Sequence, residues 1–291
     1  MGKAGRKREL KLAIFGDQRK PNVAEVVSEF TDYIKGKART VISCGIDQCS
    51  AELLREADYA VVFGGDGSII AAARRLSKSS VPVVGVNVGK LGYLAEFSVE
   101  ELKRFLPRLR QGDVRIEKRM MMLCRLFRDG KVRFRSTAVN DVFITAGPPF
   151  RMIEMKMSVD GQHLRECISD GLVVATPTGS TAYSLSAGGP VLSQKMQAMV
   201  ITPICPHSLS FRPIVIQADS IVEIRGVRLN EGTRVCVDGQ VSLNMEIDDV
   251  VQVRRERKDF LVVNNPLRNE WDTLAEKLGW AEKPKYKPAG T

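Results

Sequence analysis

The chain has 291 residues, 44% hydrophobic and 27% charged, with a formal net charge of +10; it is long enough for two buried cores, and no apolar run approaches the roughly 18 residues of a membrane span. The basic N-terminus lacks the apolar stretch of a signal peptide, so the cytoplasm is the expected location. Six of the ten excess charges fall in residues 1–11 and 281–291, a property of tails rather than of a nucleic-acid-binding face.

The six cysteines (Cys44, Cys49, Cys124, Cys167, Cys205 and Cys236) form no CxxC pair. With only His163 and His207 beside them they do not make a zinc site, and each is expected to serve as a small buried apolar residue.

In chain order, LKLAIFG at 10–16 and DYAVVF at 58–63 are apolar runs ending at glycine, the pattern of buried strands. Between them Val23, Val26, Val27, Phe30 and Ile34 recur at helical spacing. A helix is expected over 68–76 and a strand over 81–88. Ser98 and Glu101 form a capping-box pair for a helix through Leu106, near Pro107. Strand–helix alternation over 1–111 predicts a Rossmann-like α/β domain with a parallel sheet.

Near residue 112 the texture changes. Asp129-Gly130, Asp160-Gly161 and Asp238-Gly239 separate runs at 131–136, 152–159, 220–224, 234–237 and 250–254, which reads as antiparallel hairpins and a β-rich domain over 112–258. Residues 259–291 return to helix at 269–278, and that helix is expected to pack back on the first domain.

Two segments carry the chemistry. Gly64-Gly65-Asp66-Gly67 follows a strand and opens a helix, where glycines let backbone N–H groups approach phosphate oxygens. A carboxylate there repels phosphate unless it accepts a hydroxyl proton or shares a Mg²⁺ ion; the plain alternative is a tight turn with Asp66 at a helix start. The second segment, DGLVVATPTGSTAYSLSAGGP at 170–190, holds six Ser or Thr and four Gly around one Tyr, suited to a polar, ring-bearing ligand. Asn140-Asp141 interrupts the apolar run AVNDVFI, either as satisfied core polar groups, as a bulge or as part of a site. Asp170 either caps a turn or binds, and Tyr183 either stacks or packs. His207 reads as structural.

These segments carry a family resemblance. GGDG at 64–67, Asn140-Asp141, the whole of 170–190, Asp238-Gly239-Gln240 and the closing LRNEWDTLAEKLGW occur in the order and approximate spacing of the NAD kinases, and the chain resembles the bacterial members from end to end. GGDG alone is also found in lipid kinases and phosphofructokinases; 170–190 is the specific part. The resemblance implies ATP-dependent phosphorylation of the adenosine 2′-hydroxyl of NAD, with Asp66 as general base. It implies dinucleotide and phosphate contacts from Gly64, Gly65, Gly67, Asn140, Asp141, Arg151, Ile168, Asp170, Thr181, Ala182, Tyr183, Ser184, Leu185, Ser186 and Gln240. It also implies Mg²⁺ carried on the phosphates and a homodimer or homotetramer. Three positions depart from common members: Asp141 where many carry Glu, Ser68 where Thr or Asn is commoner, and Ile168 where some carry Arg, a position linked to choosing between NAD and NADH.

Overall fold

The computed structural model describes residues 9–46, 51–77, 79–89, 92–164 and 166–280. The tail charges from Lys3 to Arg8 and from Lys283 to Lys287, and Cys49, lie outside them.

The first half alternates as expected: β1 (Lys11–Gly16), α1 (Pro21–Tyr33), β2 (Arg39–Cys44), α2 (Ala51–Glu56), β3 (Tyr59–Phe63), α3 (Asp66–Leu76), β4 (Val83–Val86), α4 (Val99–Gln111) and β5 (Ile116–Arg119). β3 and β4 are buried along their whole length and β1 from Leu12 onward, as a parallel sheet covered on both faces requires. α1 and α4 seal one face through Phe30, Leu102 and Phe105, joined by Phe97 from the segment before α4. α2 and α3 seal the other through Leu54, Ile69 and Ala73. The Ser98–Glu101 capping box forms in both directions. The helix it starts does not stop at Pro107. Leu102, Phe105, Leu106 and Leu109 make one buried stripe across the proline, and Gly112, left-handed at φ 71°, ends it.

The second half runs β6 (Met122–Arg128), β7 (Lys131–Ala138), β8 (Asp141–Thr145), β9 (Ile153–Val159), β10 (Gln162–His163), β11 (Cys167–Ser169), β12 (Gly171–Ala175), α5 (Tyr183–Ser186), β13 (Ala198–Ile204), β14 (Ile214–Gln217), β15 (Val222–Arg228), β16 (Arg234–Val237), β17 (Val241–Asn244) and β18 (Val250–Arg255). These strands form two antiparallel sheets, ordered β10-β9-β15-β18-β6-β7, with β11 beside β9, and β14-β13-β12-β8-β16-β17. Their facing sides share one core of Met, Ile, Val and Leu side chains. All three Asp-Gly pairs are hairpin turns with both residues at positive φ, between 51° and 76°, as a type I′ turn demands.

The chain then returns. β19 (Phe260–Val263) inserts into the first sheet, which is ordered β2-β1-β3-β4-β19-β5: parallel to β4 and antiparallel to β5. The boundary expected at 112 is therefore corrected, because β5 hydrogen-bonds into the first sheet through a strand more than 140 positions later. α6 (Glu270–Leu278) follows, capped by Asn269, whose side chain accepts from the Trp271 and Asp272 N–H groups. Asn265 and Arg268, just before it, bond to Glu96 and Glu101 of the first domain.

The run AVNDVFI, expected as one strand, breaks in the middle. The Asp238 carboxylate accepts hydrogen bonds from the N–H groups of Val139, Asn140 and Asp141 at 2.8–3.2 Å, taking the amides a continuous ladder would use.

The cysteine expectation also needs correction. Cys124 and Cys167 are buried, but Cys44 and Cys236 are half-buried and Cys205 is exposed. Burial pushes the Cys124 thiol up to about 12.

Candidate active site

Asp66 is the first residue of α3, just past the carboxyl end of β3. Gly64, at φ 152°, lies in backbone space that side chains avoid, and a Cβ there would meet the Ser68 hydroxyl at 2.4 Å. The Asp66 carboxylate accepts from Tyr93 N at 2.8 Å on Oδ2, and from Leu94 N at 2.9 Å and Ala95 N at 3.1 Å on Oδ1. A carboxylate offers about four acceptor positions, so one stays open, on Oδ2. That position is open to a further hydrogen-bond donor.

Gly92 makes this arrangement possible. A Cβ at 92 would lie 1.9 Å from Asp66 Oδ1, so any side chain would push the loop off the carboxylate. Sequence reading missed Gly92; its only signal was a glycine three positions after Gly89 in the connection after β4.

The second domain reaches this loop through the β16–β17 turn. The Gln240 side chain donates to the Gly67 carbonyl at 2.8 Å and accepts from Arg74 at 2.6 Å. Arg74 also stands 3.7 Å from Asp238, whose side chain has no solvent exposure. The turn thus clamps α3 on one side and the start of β8 on the other. Asn140 Oδ1 is buried there with no hydrogen-bond partner among the described residues.

Asp141 is 3% exposed. Burial, then the neighbouring Asp238 carboxylate, pushes its pKa up to about 7, and the Tyr183 backbone N–H partly offsets them. Asp238 is raised for the same first reason, burial, against three amide hydrogen bonds and Arg74.

The TPTGSTAY loop closes over this end of β12. Thr176 donates to the Val139 carbonyl and accepts from Gly179 N. Gly179 packs so closely on Asn140 that a Cβ would lie 2.0 Å from its carbonyl oxygen. Thr181, Ala182 and Leu185 are half-buried and Ser186 is exposed. Ser184 is fully buried with its hydroxyl 2.8 Å from that of Thr202, so its side chain supports the loop instead of facing a ligand. Tyr183 is 37% exposed and stands edge-on to Phe143, with ring centroids 4.9 Å apart. Burial raises its phenol first; Cys205, Asp141 and Asp170 add to it.

Arg151, Ile168 and Asp170 lie elsewhere. Asp170 precedes β12 and Thr176 follows it, about 20 Å apart along the strand. Exposed Arg151 follows β8 at the same far end, and exposed Ile168 sits on β11, its carbonyl accepting from His207 N. Asp141 at one end and Asp170 at the other both contribute to the rise of the Tyr183 phenol.

Beside Asp66 opens a cleft of about 910 Å³ at the carboxyl ends of β1 and β3, bordered by Gly16, Arg19, Lys20, Gly65, Ser68 and Gln240. Crevices at this edge of a parallel sheet are the usual place for nucleotides. A helix-opening glycine loop facing a cleft large enough for a nucleotide, with an acceptor carboxylate in it and a second domain bringing an aromatic-bearing loop, defines a two-domain nucleotide phosphotransferase.

Two family models match the chain: the ATP-NAD kinase N-terminal domain over residues 20–114 and the ATP-NAD kinase C-terminal domain over 139–265. The chain is 42% identical over 227 residues to the NAD kinase of Rhodopirellula baltica, covering 78% of this chain and 73% of that one. It is 35% identical over 282 residues to the NAD kinase of Geotalea daltonii, covering 94% and 99%. Among solved structures, yeast NADH kinase complexed with NADH superposes with a TM-score of 0.85 at 25% identity, over 97% of this chain and 90% of that one. An NAD kinase from Archaeoglobus fulgidus in complex with ATP shares the fold, with a TM-score of 0.74 over 91% and 98%. The chain belongs to the NAD kinase family.

Proposed function

We infer that this enzyme transfers the terminal phosphoryl group of ATP to the adenosine 2′-hydroxyl of NAD, giving NADP, and that Asp66 is the base. The observation that carries the assignment of the base is the one acceptor position left on Asp66 after three backbone amides have fixed the other three. A ribose hydroxyl has a high pKa, so its proton must leave as the O–P bond forms, and a carboxylate held in one orientation is suited to receive it.

In this reading the donor lies in the cleft of Gly16, Arg19, Lys20 and Ser68, its phosphates against the N-terminus of α3. The dinucleotide lies across the second domain, from Asn140 and Asp141, over Tyr183, towards Asp170, Ile168 and Arg151. That path accounts for binding residues at two ends of one sheet. Because Asp141 titrates near 7, it does not place a full negative charge against the diphosphate at neutral pH.

Mg²⁺ fits as an ion brought on the phosphates, where it neutralises charge. Among the described residues no three His, Cys, Asp or Glu side chains gather to cage a metal. Cytoplasmic location and a homodimer or homotetramer complete the proposal. The β14 edge supports assembly, exposing Ile214 and Val215 at 41% and 46% beside Leu209 at 86%.

Incubation with ATP, Mg²⁺ and NAD, followed by mass and ³¹P analysis of the product, tests the assignment. NADP with its new phosphate on the adenosine ribose is expected; phosphate elsewhere, or no product, overturns it.

A further inference from the structure

On the far side of Arg74 from the catalytic loop lies a groove of about 540 Å³ at the junction of the two domains. Arg74, Arg75, Arg135, Arg257 and Lys258 line it against a single acidic residue, Glu256. The strand register adds to the positive charge. Arg125 stands directly opposite Arg135, and Arg254 opposite Leu123 of the groove floor, so both arginines occupy the same sheet face. The side chains of Arg125, Arg135, Arg254 and Arg257 have no ion pair or hydrogen bond among the described residues. Like charges set opposite one another across strands destabilise a sheet, and several cations within one Debye length repel. Such a cluster is compensated when an anion occupies it.

We propose that this groove is a second anion site, for a small molecule bearing several phosphate groups, which acts on the catalytic loop through Arg74. The volume suits a small ligand, and Thr137 adds a hydroxyl donor beside the cations, while the Ser77 and Ser136 hydroxyls donate to the Arg74 and Thr137 carbonyls. The lining has no aromatic side chain on which bases would stack, and its one apolar side chain, Leu123, is 1% exposed. It therefore suits neither single-stranded nucleic acid nor a membrane surface. Arg74 supplies the coupling: it belongs to the groove, bonds Gln240, which holds the Gly67 carbonyl, and pairs with Asp238, which holds the amides of 139–141. An anion drawing on Arg74 shifts both walls of the active site together.

The probe is inorganic tripolyphosphate, titrated calorimetrically into enzyme whose donor cleft is filled by a non-hydrolysable ATP analogue; this arm rests on the donor assignment above. Saturable binding is expected to weaken roughly tenfold or more in Arg135→Glu/Arg257→Glu. The single variants Arg135→Gln and Arg257→Gln should weaken it part-way, and they serve if the double variant does not fold. Lys37→Glu/Lys103→Glu makes the same charge change on the opposite face of the first domain and should bind as wild type. NADP formation without tripolyphosphate should be unchanged in all of them, which separates failure of this site from failure of the kinase assignment. Unaltered binding in the groove variants, equal loss in the distant pair, or complete displacement by the ATP analogue would overturn the site. Binding that leaves kcat and the KM for NAD untouched would overturn the coupling through Arg74.

Discussion

Two carboxylates a few ångströms from the same clamp are placed for different work. Asp66 is fixed by amides and keeps one acceptor position open, whereas Asp141 is walled in and its pKa is pushed up to about 7. The rise has a consequence for stability. Between its unfolded value of 3.8 and its folded value of about 7, Asp141 keeps a proton in the native protein that the unfolded chain has released. Its contribution to stability is therefore present below about pH 4 and lost as pH rises to about 7. Asp141→Asn should flatten that part of a melting-temperature profile from pH 5 to 8; a profile with the wild-type slope would show that Asp141 is not the titrating group. Tyr183 is the other informative residue. A ring braced by Phe143 and placed under the dinucleotide, as proposed, would bind ground and transition states alike, so Tyr183→Ala should raise the KM for NAD more than it lowers kcat. A fall in kcat at constant KM would place the ring beside the reacting atoms.

At the scale of elements, what the sequence shows and what it hides divide by range. The three Asp-Gly hairpins and the capping box of α4 were legible because turn and cap chemistry is decided within four residues. The break between β7 and β8 was not, since the carboxylate that causes it belongs to Asp238, 97 positions beyond Asp141. β5 was assigned to the wrong domain for the same reason, its partner strand lying at the far end of the chain. GGDG and the 170–190 loop were found as motifs, but Gly92, which lets the loop grip Asp66, has a role visible only in three dimensions. The β16–β17 turn tests this view of the clamp. Asp238→Ala leaves three amides without their acceptor and should cost on the order of 3 kcal/mol in urea unfolding. A loss within about 0.5 kcal/mol, the range of an ordinary surface substitution, would mean that the break at 139–140 is held by other contacts.

The whole molecule brings together a glycine loop at the end of a parallel sheet and a Tyr183-bearing loop from an antiparallel sandwich, and strands from both halves of the chain contribute to the first sheet. Its unprotected β14 edge is the face on which copies should meet. Val215→Lys is expected to shift light-scattering mass towards the monomer while the circular dichroism spectrum stays unchanged; an unaltered mass would move the interface elsewhere. The account depends most on Asp66, and the direct measurement is single-turnover phosphorylation by Asp66→Asn with NAD affinity determined on the same preparation. The carboxamide introduced by that substitution would face backbone N–H donors, so the affinity value shows whether the cleft survives the change. The expected result is NAD binding close to wild type with a rate lower by about 10²–10⁴-fold. A variant that binds NAD normally and keeps more than roughly a tenth of the wild-type rate would contradict Asp66 as the base.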